Sequence, residues 1–361
     1  MKAFLTFFFL TLLVAGAVAG YLWLSLEKPY GIIPPEGIFV EVPHGASQRA
    51  VSHLLQSKGI IRNSLAFELY ARRHPRRSLL AGEYFFDRPL TGKAVFWKIA
   101  DGDVYVQPFT VKEGDTMFDI SNNLQAAKYM KAAEFLKAAQ DPSQIQDFAP
   151  GAKTLEGFLF PATYNLPLHP SAADLTTMMV HKFREAMQPI SPDRLDPLTP
   201  GTPLLSVITL ASLVEAETPK PEERPLVAGV YTNRLRLEML LQCDPTVIYA
   251  LKQVGKYKPP LLWKDLRYDS PYNTYVHSGL PPGPIGNPGE LAIRAALSPT
   301  PTDFLYFVAN TQGGHFFAST LAEHNQNVAK YHRLLNGEPA DPPATEPHQT
   351  QPAATGHKGK R

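Results

Sequence analysis

The chain has 361 residues, 44% of them apolar and 19% charged, with a formal net charge of +2, which is length for two or three folded units. So balanced a charge argues against a broad nucleic-acid footprint, and the single cysteine, Cys243, excludes an internal disulfide framework and any multi-thiolate zinc or iron–sulfur site. The 35 prolines, about twice the usual ~5% share, predict long ordered loops, a disordered tail, or both.

No charged residue occurs from Ala3 to Leu26, a run of 24 residues. A bilayer core takes roughly 20 helical residues, so 1–26 reads as a transmembrane anchor. Lys2 and the amino terminus precede the run, while Glu27 and Lys28 cancel after it. The positive-inside rule then leaves a short cytoplasmic end and exports everything that follows. A cleaved signal peptide ending at Ala17-Val18-Ala19 is the alternative, but Tyr21, Leu22, Trp23, Leu24 and Leu26 prolong the apolar run and favour the anchor. Both readings export the chain. A buried core helix is disfavoured because the run has no polar face.

Residues 27–38 hold GIIPPEG and read as a stiff juxtamembrane spacer. An internal repeat follows, with Phe39–Leu55 resembling Phe109–Leu124 at an offset of 69. Val42 falls on Val111, Gly45 on Gly114, Ser47 on Thr116 and Leu55 on Leu124. Each copy predicts a short strand, a glycine turn, a Ser/Thr cap and an amphipathic helix. Between them, Ala81–Gly102 reads as a strand, a loop and a short helix. This arrangement over 39–108 is similar to a LysM module, a small βααβ fold that binds N-acetylglucosamine polymers; an ordinary α/β cap without a ligand is the alternative. The basic stretch Ala71–Arg77 (ARRHPRR) reads as a solvated loop broken by Pro75.

The strongest helix after the anchor is Thr202–Thr218 (TPLLSVITLASLVEAET), with Thr202 as N-cap, Pro203 in the first turn and Pro219 as terminator. Glu215 shares a face with Ile208, Ala211 and Ser212. Burial there would raise its pKa, as a general acid requires. The alternative is that Glu215 and Glu217 mark the solvent end of a core helix or pair with Arg224, Arg234 or Lys220. The two glutamates lie about 200° apart around the helix and do not form a matched acid/base pair.

Pro221–Met239 reads as a second helix packing Val227, Val230, Tyr231 and Leu235. A turn then carries Gln242, Asp244 and Thr246 around Pro245 into another helix, which Asp244 could cap. Tyr272–Gly289 is a Gly/Pro-studded loop, expected to form a binding wall in which Asn273, Thr274 and Tyr275 read sugar hydroxyls and faces. Phe304–Asn310 is expected as a buried strand, and Gly313–Asn325 as a hairpin-like turn into a last helix with His315 and His324. The chain has no HExxH, GxSxG, GxxxxGK[ST] or GxGxxG pattern, so neither a metal nor a cofactor is expected. From Gly337 to Arg361 there is no aromatic residue and no aliphatic one larger than alanine, which predicts a disordered tail.

These segments, in this order, resemble the YceG-like family of endolytic murein transglycosylases. The resemblance rests on LEGFLFPATY (Leu155–Tyr164), ASLVEAET (Ala211–Thr218), ERPLVAGVYTNRL (Glu223–Leu235), LQCDPTVIY (Leu241–Tyr249), YNTY (Tyr272–Tyr275), GLPPGPIGNPG (Gly279–Gly289), LYFVA (Leu305–Ala309) and GGHFFASTLAEHN. Departures are Ala216, where a lysine is often seen, and Cys243, where a small or hydroxyl residue is common. The resemblance implies an α+β protein: a transmembrane helix, the LysM-like βααβ module and a mixed α+β catalytic domain over 109–336. It further implies an inner-membrane, single-pass location with that domain in the periplasm, peptidoglycan glycan strands as substrate, and synthases of the elongation or division machinery as partners.

The implied reaction cleaves the MurNAc-β-1,4-GlcNAc bond without water, leaving 1,6-anhydroMurNAc ends and terminating strand elongation. The resemblance places the acid on Glu215. A single glutamate suffices because the C6 hydroxyl of the sugar is the nucleophile, whereas most glycosidases need two carboxylates. Gln242, Asp244, Thr246, Asn273 and Tyr275 are expected to orient substrate, with Glu217 and Glu156 as further candidates. Glu215 is expected to line a groove formed by the 242–246 turn and the 272–289 loop. Two alternatives stay open: a non-catalytic peptidoglycan-binding scaffold for synthases, and a hydrolytic muramidase using Asp244 or Glu217 as base.

Overall fold

The computed structural model describes residues 2–191, 193, 203–337 and 339. The chain divides into two compact units. One holds the chain up to Lys112 together with Ser121–Ala138 and Ala162–Thr176; the other holds Glu113–Ile120, Ala139–Pro161 and the chain from Thr177 onward.

In the first unit, helix α1 (Lys2–Glu27) contains a segment, Phe4–Glu27, long and apolar enough to cross a membrane, with none of its most apolar window buried against the protein. Its last turn packs on the start of helix α4 (Gly92–Ala100): a Cβ at Gly92 would meet the Leu26 backbone at 3.2 Å. Glu27 and Lys93 form an ion pair at the same junction.

Strand β1 (Ile38–Val42) pairs antiparallel with β2 (Gly82–Phe86), Val40 lying opposite Tyr84. Strand alternation turns Val40, Val42, Tyr84 and Phe86 inward. On the outer face Phe39 and Phe85 meet with ring centroids 4.7 Å apart. Helices α2 (Gln48–Ser57) and α3 (Ser64–Arg72) lie between the strands in the chain and close the core with Val51, Leu55 and Phe67. Each of α2, α3 and α4 starts on a side-chain cap, in which Ala50 N donates to Ser47 (3.2 Å), Ala66 N to Asn63 (2.9 Å) and Ala94 N to Thr91 (3.1 Å), each worth about 1 kcal/mol. The arginines of the basic stretch are exposed, and Arg72 and Arg77 pair with Glu68 and Asp101.

The second repeat copy has the same local geometry. Strand β3 (Gln107–Thr110), paired antiparallel with β4 (Thr163–Leu166), leads through Gly114 into helix α5 (Met117–Ala126). Gly45 and Gly114 have φ of 73° and 81°, a left-handed turn that glycine adopts without strain. Thr116 and Asp119 cap α5 reciprocally, N–H to side-chain oxygen, at 3.1 and 3.2 Å. Helices α6 (Ala132–Ala139) and α7 (Ala172–Met187) follow.

The second unit is built around helix α8 (Leu204–Glu217), buried continuously from Val207 to Val214. Around it pack α9 (Arg224–Arg236), α10 (Asp244–Gln253) and α11 (Glu290–Leu297). A hairpin of β5 (Tyr306–Ala309) and β6 (His315–Ala318) is covered by α12 (Leu321–Leu335), which opens on a capping box of Thr320 and Glu323.

The structure corrects three local expectations. Pro203 occupies the N-cap position of α8 and supplies no side-chain cap; Thr202, expected there, lies outside the described residues. Asp244 is the first residue of α10 rather than its cap. Strand β5 is half-buried rather than buried. The expected disordered tail lies outside the described residues apart from Gly337 and Pro339.

Candidate active site

Glu215 and Glu217 sit in the last turn of α8, and the helical rotation of about 200° between them sends the two carboxyls into different surroundings. Glu215 Oε1 accepts a hydrogen bond from Arg224 Nη2 at 2.5 Å and Oε2 accepts one from Gly289 N at 2.9 Å. The two side chains are 5% and 6% exposed. Glu113 Oε2 lies 3.5 Å from the same Arg224 nitrogen. Burial pushes the Glu215 carboxyl above the usual glutamate range, the Gly289 N–H and the Arg224 guanidinium pull it back, and the charge of Glu113 adds to the push. With both oxygens engaged by donors, one of them permanently cationic, this geometry suits a carboxylate.

Among the described residues Glu217 has no cationic hydrogen-bond donor. Its Oε2 accepts from the Tyr231 hydroxyl at 3.1 Å and from Cys243 Sγ at 3.4 Å. Burial pushes its carboxyl up; the thiol, the phenol and the charge of His315 oppose this, while the charge of Asp244 reinforces it. Neutral donors stabilise an ionised carboxylate less than charged ones do, so desolvation prevails. Glu217 lines a cavity of about 420 Å³ together with Arg234, Gln242, Asp244, Trp263, Tyr275 and His324.

Four of the residues expected at the site therefore meet on one cavity: Glu217, Gln242, Asp244 and Tyr275. The Tyr275 hydroxyl donates to Asp244 Oδ1 at 2.6 Å. Gln242 adopts a left-handed backbone, φ 52°, with its N–H bonded to Thr274 O at 3.1 Å. Such strain in a non-glycine residue persists where surrounding structure imposes it and is frequent in binding walls.

The 242–246 turn faces Glu217, whereas Glu215 meets only the end of the 272–289 loop at Gly289. This cavity is thus reached by Glu217, while the Glu215 carboxyl is engaged by Arg224 and Gly289.

Asn273 and Thr246 are fully buried, which corrects their expected contact with sugar. Asn273 Nδ2 donates to Leu266 O (3.0 Å) and Tyr268 O (2.7 Å), and its Oδ1 accepts from Tyr275 N (2.9 Å). Thr246 is bonded to Cys243 O (2.6 Å) and to the Thr274 hydroxyl (3.0 Å). Both residues hold the wall in shape and have no polar atom to spare.

Glu156 is also buried, away from the cavity. Met117 N, at the first turn of α5, donates to both its oxygens at 3.0 and 3.1 Å, and Asn287 Nδ2 donates to Oε1 at 2.9 Å. Burial pushes its carboxyl to about 8.

Two residues that shape the site are not evident from the sequence pattern. Tyr231, read as a packing residue, presents its hydroxyl to Glu217. Asn287, inside GLPPGPIGNPG, is fully buried and bonds Gly157 N (2.8 Å), Leu159 N (3.0 Å), Asp115 O (2.8 Å) and Glu156. An asparagine between glycine and proline in a rigid loop was the available signal. A third group, Glu223, grips His315 through N (3.0 Å) and Nδ1 (2.7 Å) and accepts from Thr218 Oγ1 at 3.3 Å, which secures the end of α8 to β6.

An α+β chain with one long apolar helix and a desolvated carboxyl on the wall of a polar cavity has the makings of an enzyme that works by proton transfer. The YceG-like family profile matches residues 40–330, and the chain belongs to that family. It is 32% identical to an endolytic murein transglycosylase of Bacillus subtilis (strain 168), over 85% of this chain and 88% of that protein. It is 29% identical to an endolytic murein transglycosylase of Streptococcus pneumoniae serotype 2 (strain D39), over 92% of this chain but 65% of that longer protein. The crystal structure of a YceG-like protein from Listeria monocytogenes is similar at 33% identity with a TM-score of 0.50, covering 81% of this chain and 99% of that one.

Proposed function

We propose that this protein is a membrane-anchored lytic transglycosylase that cuts peptidoglycan strands internally, and that its acid is Glu217. One observation carries the reading: the Glu217 carboxyl, desolvated and held by the neutral donors Tyr231 and Cys243, is on the wall of the cavity that also gathers Gln242, Asp244 and Tyr275. The names of the relatives in Bacillus and Streptococcus support the reaction class. Glu215, ion-paired to Arg224, acts as a strut beneath the acid.

In this mechanism Glu217 donates its proton to the oxygen bridging MurNAc C1 and GlcNAc C4. The C1–O bond breaks, and positive charge develops at C1. The Asp244 carboxylate, held by Tyr275, lies in the same cavity and stabilises that charge. The C6 hydroxyl of the same MurNAc attacks C1 and returns its proton to the Glu217 carboxylate. The products are a 1,6-anhydroMurNAc end and a free GlcNAc O4 hydroxyl, with no water consumed. The intramolecular nucleophile replaces the water that a second catalytic carboxylate would otherwise have to activate.

The β1–α2–α3–β2 order of the first unit and its antiparallel strand pair support a LysM-like, glycan-facing module. The apolar α1 supports a single membrane crossing with the catalytic unit outside the cytoplasm. Synthases that extend the strand are the natural partners of an enzyme that ends it.

Full-length protein in detergent, incubated with uncrosslinked peptidoglycan strands, should yield anhydro ends by mass spectrometry. Glu217→Gln should lower the rate about 10²–10⁴-fold, the usual contribution of a general acid, with an unchanged melting profile. Reducing ends would instead establish the hydrolytic alternative with Asp244 as base, and no new ends would establish a binding scaffold. A Glu217→Gln protein that cuts at the wild-type rate would remove Glu217 from the chemistry.

A further inference from the structure

Trp263 is 89% exposed. A single exposed apolar side chain needs no special explanation; the placement of this one does. It stands at the cavity that Glu217, Gln242, Asp244 and Tyr275 line, and the turn that carries it is braced from two directions. Within the turn, Leu262 N donates to Asp265 Oδ2 at 3.0 Å and Asp265 N donates to Leu262 O at 2.8 Å. Behind the turn, the buried Asn273 amide holds Leu266 O and Tyr268 O. Asn273 also fixes Tyr275 N, so one side chain sets the turn of Trp263 and the wall of Tyr275 together. An indole on a braced turn has lost little further freedom to ligand binding, and its broad face stays in water until something apolar covers it.

We propose that Trp263 is the platform for one N-acetylated pyranose ring of the glycan strand, next to the ring whose bond Glu217 protonates. The C–H face of such a sugar covers an indole, while its hydroxyls and acetamido group stay at the edge for water and polar side chains. Tyr275 and Gln242 offer such groups at the cavity wall. The platform assigns Asn273 a positioning role: it holds the turn and touches no sugar. This inference rests on the cavity being a glycan site, and it adds the residue that holds the neighbouring ring.

The probe is the soluble β-1,4-linked hexamer of N-acetylglucosamine, added to the full-length protein in detergent. Binding should shift tryptophan emission to the blue saturably. The shift should vanish in Trp263→Phe, although Trp23 and Trp97 remain. By calorimetry, Trp263→Ala should weaken the hexamer about tenfold, or ~1.4 kcal/mol, and Trp263→Phe should recover part of that loss. On peptidoglycan strands Trp263→Ala should raise KM by a similar factor with kcat within about threefold. Unchanged hexamer affinity and KM in Trp263→Ala would overturn the platform while leaving the cleavage reaction standing. An emission shift in wild-type protein and weakened binding in Trp263→Ala, with no anhydro ends formed by the wild type, would uphold the platform and overturn the cleavage reaction.

Discussion

Glu215→Gln tests whether the first glutamate of α8 supports the site or performs the chemistry. The substitution removes the anion from an ion pair in which both side chains are almost completely enclosed. It puts an amide where Arg224 Nη2 now meets Oε1 at 2.5 Å, and the bond from Gly289 N to Oε2 must re-form on a single carbonyl oxygen. Arg224 Nε and Nη1 are already buried without hydrogen-bond partners among the described residues, and its charge would keep Glu113, half exposed, at 3.5 Å. Breaking a buried pair from one side costs about 3–5 kcal/mol. For a unit of this size that is a fall in Tm on the order of 10 °C. The assay is thermal unfolding of the full-length protein, followed by strand cleavage per folded molecule at 25 °C. Cleavage should stay within about tenfold of wild type, well short of the loss expected for a general acid. The double variant Glu215→Gln/Arg224→Met removes both charges and should recover most of the Tm. If Glu215→Gln melts like wild type and still loses cleavage about 10²-fold or more, Glu215 is the acid and the assignment to Glu217 fails.

Asn287→Ala strands the Gly157 and Leu159 N–H groups in the interior, at about 1–3 kcal/mol each, so Tm should fall by about 10 °C, read by the same melt. Glu156 has its folded pKa raised to about 8, so the stability it contributes is complete below its unfolded pKa of roughly 4.3 and is lost as pH rises through about 8. Tm measured from pH 5 to 9 should therefore fall, and the Glu156→Gln variant should flatten that slope; an equal slope in both proteins would show that another group titrates.

Helix α8, the two repeat turns with their caps and the apolar α1 were all legible from the order of residues alone. Each is set by neighbours within a few positions: a cap reaches three residues, a helical face repeats every three or four, and a left-handed turn needs only its glycine. The same local geometry established that Glu215 and Glu217 point apart. It could not establish which of them meets the cavity of Asp244 and Tyr275, because Arg224 and Gly289 engage one carboxyl while Tyr231, Cys243 and the 242–246 turn surround the other. Nor could it separate Tyr275, which opens onto that cavity, from Asn273 two positions earlier, whose amide is spent on Leu266 and Tyr268. Residue type states what a side chain can do. Desolvation, charged neighbours and unused hydrogen-bonding capacity decide whether it does so, and those come from groups distant in the chain that only the fold brings together.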